Sequence, residues 1–279
     1  MTEPAQVARV PAHAARRPAG LGWLRSKWTL QVLSLVVGVG IWQLYGHHSP
    51  GVASYPSQVV HSALHGHARE ITSAFEETLS SFLLGFAICT VIGIPVGLLM
   101  ARSRLVELIL RPYVSILYAT PIVVFIPLLI VYLGVTFKLR LISAVLVGVF
   151  PIVLNTYIGA QQVENDLLDA GKAFVGKELQ LLRTIIIPGS LPYIFAGLRI
   201  GFAHAMVATI VSEMEGSVAG VGGLVDRYGQ NLELAPMWVL IVVLGVFAVL
   251  GSSLLRAAER WSSQPWDRRT RHAKAGAAS

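Results

Sequence analysis

Residues 161–192 read QQVENDLLDAGKAFVGKELQLLRTIIIPGSLP, and they differ from the sequence on either side. A long apolar run precedes them and another follows. Within the stretch, Leu167, Leu168, Gly171 and Phe174 recur at helical spacing, so roughly one face of a short helix is small and partly apolar. Ala170 and Gly171 leave room there for another surface to come close. Pro188 and Pro192 are expected to break the backbone before the next apolar run. The stretch reads as a docking element for a soluble partner, set between membrane segments. A solvated loop is the plainer alternative.

Composition points to a membrane setting. Hydrophobic residues make up 54% of the chain and charged residues only 13%, with a mean hydropathy of +0.64. A soluble domain of this size carries about a quarter charged residues. The net charge of +7 does not indicate nucleic acid, because the basic residues sit in tails and loops beside apolar runs. The single cysteine, Cys89, lies within an apolar run, so no disulfide can form inside the chain and no thiol metal site can be built. On the polar stretch after the first span, His61 and His65 share a helical spacing, but loosely placed histidines beside a membrane assign no metal. Ser57 there is expected to cap a short interfacial helix, with Pro56 just before it.

Outward from the central stretch, the chain divides into a disordered Ala-, Pro- and Arg-rich tail (1–27), a membrane domain (28–260) and a basic tail (261–279). The fold expected is all-α, a polytopic bundle of six transmembrane helices. The spans cover about 28–46, 79–101, 113–134, 141–163, 192–214 and 235–256, each near the ~20 residues that cross a bilayer. Lys and Arg concentrate in the N-tail, in the loop after span two, in the central stretch and in the C-tail. The other side has only Arg69, Lys138, Arg140 and Arg227. The positive-inside rule therefore puts both termini and the central stretch in the cytoplasm.

Polar groups inside the spans are few. Arg199, Glu213 and Asn155 are candidates for a translocation path, with snorkelling or pairing the alternative for Arg199 and helix capping for Glu213. Glycines and prolines in spans two to four allow close packing and bending. No G-x-x-x-x-G-K-[ST] phosphate loop, nucleophile constellation or potassium-filter loop is present. Energy for transport would have to come from elsewhere.

Here the central stretch can be compared with a known signature. It resembles the E-A-A-x-x-x-G-x9-I-x-L-P motif of ABC importer permeases. Asp169-Ala170-Gly171 stands at E-A-A, and Ile185-Ile186-Ile187-Pro188 at I-x-L-P. Val175 takes the motif's glycine position, with Gly176 one residue later. Leu84-Gly-Phe-Ala, Gly93-Ile-Pro-Val-Gly-Leu, Pro151-Ile-Val-Leu-Asn155, Leu191-Pro-Tyr-Ile-Phe-Ala-Gly-Leu-Arg-Ile and Gly220-Val-Gly look like the nitrate/taurine/aliphatic sulfonate branch. The likeness implies a type I permease bundle in a bacterial inner membrane, a second permease copy, separate ABC ATPase subunits and an extracytoplasmic solute-binding protein. It also implies that Leu168, Asp169, Ala170, Gly171, Phe174, Val175 and Gly176 form the ATPase contact. The chain itself would hold no cofactor, ATP and Mg being bound by the ATPase. It would not be an enzyme, and the solute would be a small anion. An ion-gradient-driven carrier and a non-transporting scaffold are the rival readings.

Overall fold

Membrane helices satisfy their own backbone hydrogen bonds, which is why a chain this apolar folds into helices. The structure, a computed structural model, describes residues 27–48, 54–66, 68–175, 178–216 and 219–276, and among them there is no strand. The expected disordered tail lies outside these residues apart from Lys27. So do Gly176 and His67, and the side chains of His65, Phe174 and Val175.

The chain divides into two units, residues 1–56 and 57–279. The first holds α1 (Lys27–His48), whose described side chains are nearly all exposed, as a lipid-facing helix requires. After it the chain turns back on the helix end. The Trp42 indole donates to the Ser54 carbonyl at 2.8 Å.

At the division between the units in sequence, α2 (Pro56–His65) starts on Pro56 itself, so Ser57 lies inside the helix rather than capping it. Proline suits the first helical position because its missing N–H would have had no partner there. Next comes α3 (Ala68–Arg102), which starts eleven residues before the expected span. At 1.5 Å per residue it is roughly 52 Å long, more than the ~30 Å hydrocarbon core. Its extra turns keep their charges by pairing them, Glu70 with Arg227 and Glu77 with Arg140.

The third expected span is corrected. Instead of one helix over 113–134 there are α4 (Arg104–Ala119), a 3-10 turn (Ile122–Phe125) and α5 (Ile126–Leu133), bent by 85° at the break. The cause is Pro121, which cannot donate to the preceding turn and forces Thr120 to an extended ψ of 134°. Gly134, at φ 64°, ends α5 in a conformation glycine tolerates best.

Then follow α6 (Phe137–Gln161), α7 (Asn165–Val175), the short α8 (Glu178–Leu181), a π-helical turn (Leu182–Ile186), α9 (Ile187–Gly216), α10 (Val221–Gln230) and α11 (Leu234–Gly276). The expected break at Pro188 and Pro192 does not occur, since helix runs on from Glu178 to Gly216. The π turn widens the spiral just ahead of Pro188, with Ile187 N–H reaching back to Leu182. Between the two prolines the Ser190 hydroxyl donates to the Ile186 and Ile187 carbonyls at 2.8 and 3.1 Å. The π turn is the kind of local adjustment with which a membrane helix accommodates proline. The basic C-tail is also helical, because α11 continues to Gly276.

Five described helices are long and apolar enough to span, or six if the bent pair counts as one. The core lies where α6 is gripped between α3 and α9. A Cβ on Gly148 would stand 2.9 Å from Ala205 Cβ and 3.0 Å from Cys89 Sγ, and one on Gly97 would stand 2.6 Å from the Val153 carbonyl. Small residues permit this approach, and packing rather than water holds helices together in lipid. Phe82 and Phe202 meet edge-to-face at 4.9 Å and 89° in the same core.

Candidate functional site

Two ends of α9 and one point midway along it carry the polar features. At the first end α7 begins where Leu167 and Leu168 N–H groups bond the Glu164 carbonyl, and Asp166 sits favourably in the first turn. The apolar face read from the sequence is split by the structure. Leu168 packs on a cluster of Leu98, Ala160, Leu181 and Ile186, and Gly171 is buried beside it. Leu167 instead faces outward with Asp166, Asp169 and Ala170, all exposed. The reason is that residues 181–186 fold back over α7 and claim one side of it. A Cβ on Gly171 would lie 2.5 Å from both Leu181 Cδ1 and Ile185 Cδ1. The space left by Gly171 is therefore filled by this chain. Arg102 at the end of α3 reaches Glu178 at 3.1 Å and fastens the same corner.

Nearby, the Glu107 carboxylate is buried at 7% exposure and accepts from Tyr157 Oη at 2.6 Å and from Arg104 at 2.9 Å, tying α4 to α6.

At the far end of α9, Glu213 is 1% exposed. Thr78 Oγ1 donates to its two oxygens at 3.0 and 2.9 Å, Gly222 N–H donates to it at 2.9 Å, and Val221 N–H donates to Thr78 Oγ1 at 2.8 Å. A carboxylate is badly placed at the C-terminus of α9 but well placed at the N-terminus of α10. Gly220, at φ 113°, makes the turn between them. Arg140 donates to the Ala219 carbonyl at 2.7 Å and so holds the turn from the other side. On α10 itself Tyr228 donates to Glu70 at 2.8 Å. Burial first, then that hydrogen bond, pushes its phenol up to about 12, so it stays a donor at neutral pH.

The three path candidates are not brought together. Glu213 caps α10, and Asn155 donates to the Pro151 carbonyl at 2.8 Å, one turn back on its own helix. Arg199 pairs with Glu259 of α11, both about a quarter exposed (28% and 24%). Glu259→Ala leaves that guanidinium in a span without its partner, at a cost of about 1–3 kcal/mol for a pair still partly wet. We expect the melting temperature in detergent to fall by roughly 3–9 °C and the charge swap Arg199→Glu/Glu259→Arg to restore most of it. An unchanged melting temperature in Glu259→Ala would show that the pair does not hold α9 to α11.

Midway along α9, sequence reasoning missed His204. Its ring borders a cavity of about 430 Å3 formed at the proline break, between Tyr118–Val123 and Val147, Phe150 and Val207. The signal available was a titratable side chain deep inside a span.

Comparison with known proteins agrees with this architecture. Residues 93–264 match the family of binding-protein-dependent transport system inner membrane components. The chain belongs to that family and is a permease subunit of an ABC importer. A probable ABC transporter permease protein of Brucella abortus (strain 2308) is 29% identical over 245 residues, 86% of this chain and 96% of the relative. The taurine transport system permease protein TauC of Escherichia coli (strain K12) is 27% identical over 189 residues, 68% of each chain. In three dimensions the chain is similar to the MetNI methionine ABC transporter solved in an inward-facing conformation. The TM-score is 0.57 at 19% identity, covering 67% of this chain and 93% of that one, a likeness of fold.

Proposed function

We propose that this permease carries a small anion, of the kind represented by sulfonates, taurine or nitrate, and that a partner ATPase grips the outward face of α7. Relatives named for aliphatic sulfonate transport in Bacillus subtilis (strain 168) and for nitrate import in Synechocystis sp. support the solute class. The observation that carries the docking reading is the division of α7 itself. Leu168 and Gly171 are seated on the chain's own span junction, while Asp166, Leu167, Asp169 and Ala170 form an exposed strip. A helix seated on one side and exposed on the other can be pushed by a partner and pass the push to α9. Phe174, Val175 and Gly176 belong to the same proposed contact. The chain works as a pair with a second copy, both termini and α7 lie in the cytoplasm, and an extracytoplasmic binding protein delivers solute near α10. ATP and Mg are held by the ATPase.

The test is co-purification with the ATPase that supports uptake by this permease. Ala170→Arg puts a long cation on the exposed strip and should cut the captured ATPase about tenfold, the effect of losing roughly 1.4 kcal/mol of binding, with the amount of inserted permease unchanged. Equal capture by Ala170→Arg and wild type would defeat the assignment of this face.

A further inference from the structure

The cavity beside His204 lies about 26 Å from the start of α9 and 18 Å from its end at 1.5 Å per residue. Val147 and Phe150 are likewise in the middle of α6. It is therefore near mid-depth of the spans, the level at which broken helices form solute sites in transporters. The break is present: α4 stops at Ala119 and the chain restarts at Ile122 after an 85° turn.

We infer that this cavity is a solute-contact site for a small organic oxyanion, with His204 as the group that meets the charged head. The inference rests on the importer reading above and narrows its solute. Three observations carry it. The volume of about 430 Å3 falls in the ~300–1,000 Å3 range of small-molecule sites. The walls are apolar where Ile122, Val123, Val147, Phe150 and Val207 stand, so an apolar body is needed to fill them. His204 is exposed to the cavity and makes no hydrogen bond to any described residue, and no Asp or Glu lines the cavity. An imidazole N–H can therefore donate to an oxyanion, whereas a cationic head would find no counter-charge. A bare inorganic anion would leave the apolar walls uncovered.

The experiment uses the permease assembled with its ATPase in proteoliposomes. Val207→Cys places a thiol on the cavity wall at a half-exposed position (51%). Native Cys89, fully buried, is the blank, and Val131→Cys, 79% exposed on α5, is the lipid-facing control. Charged methanethiosulfonate reagents react with a thiol only where water reaches it. The sulfonate-bearing reagent should label Val207→Cys faster than the trimethylammonium one, and neither should label Val131→Cys. Millimolar butanesulfonate or butyrate should slow the labelling about tenfold, as expected for about 90% occupancy. Nitrate and butyltrimethylammonium should not. Adding His204→Ala should abolish the protection, and His204→Gln, which keeps an N–H donor, should retain part of it. Labelling by neither reagent, with and without ATP, would mean that the cavity faces lipid, and would overturn the inference. Equal protection by nitrate, or protection by the cation, would overturn the solute class. Since ATPase capture through α7 is measured separately, either failure here leaves the docking result standing.

Discussion

Gly171→Val is expected to lower uptake roughly tenfold or more while the subunit still inserts and still captures its ATPase, and Leu181→Ala in the same chain is expected to bring most of the uptake back. The argument starts from two methyl groups. A Cβ on Gly171 meets Leu181 Cδ1 and Ile185 Cδ1 at 2.5 Å, nearer than such carbons can stand. Both are far ends of flexible side chains, so alanine can be accommodated. It also gains about 1 kcal/mol of helix propensity over glycine, and Gly171→Ala should be nearly silent. Valine adds two branches in the same place, and overpacking of that kind costs about 1–3 kcal/mol. The cheapest relief is for α7 to lift off residues 181–186, which uncouples the proposed docking helix from the π turn and from α9. Leu181→Ala removes one of the colliding methyls and reopens the seat. A role for Gly171 in touching the ATPase predicts the opposite pattern: capture falls with valine, and no change at Leu181 repairs it. The measurements are ATP-driven uptake into proteoliposomes and ATPase capture, made on the same four proteins.

That experiment also shows how far the sequence could be read. The apolar runs of α6 and α9 and the spacing of Asp169-Ala170-Gly171 to Ile185–Pro188 were visible in the residues alone. They led to the helical membrane fold and to the permease family. The direction in which Gly171 points was not visible. It depends on where residues 181–186 return, and helical spacing cannot tell a face claimed by the same chain from one left for a partner. Prolines failed as signals in both directions. The span breaks at Pro121 even though the neighbouring Thr120 hydroxyl bonds back to the Ile116 carbonyl, whereas helix runs on through Pro188 and Pro192 behind a π turn. Residue type alone does not contain that difference. Arg199 and Glu213 stood out as charges in apolar runs, yet each is engaged in holding helices together. His204, a less conspicuous residue between them, borders the cavity because of a bend in a different span.

Glu213 gives the second large effect, and its substitutions separate a structural role from a place in the solute path. Glu213→Ala removes every acceptor that holds Gly222 N–H and Thr78 Oγ1, leaving a buried amide donor with nothing to bond. Each such group costs about 1–3 kcal/mol, so the first turn of α10 should come loose and its amides should exchange hydrogen at least tenfold faster. Glu213→Gln keeps a carbonyl oxygen for Gly222 N–H, and its amide can donate to Thr78, whose hydroxyl has a lone pair to spare. Gln should therefore protect α10 nearly as well as the native residue and should keep most of the uptake. Were the charge of Glu213 needed to pass a solute, Gln and Ala would be equally inactive while only Ala loosened α10. Gly220→Ala approaches the same contact from the other side. The backbone there is at φ 113°, where a side chain is strained, and its Cβ would run into the Glu213 carboxyl group. It should loosen α10 as Glu213→Ala does, and the double variant should be scarcely worse than either single one, because both remove the same cap. Additive losses in hydrogen exchange would mean that Gly220 and Glu213 hold α10 independently, and the cap drawn here would be wrong.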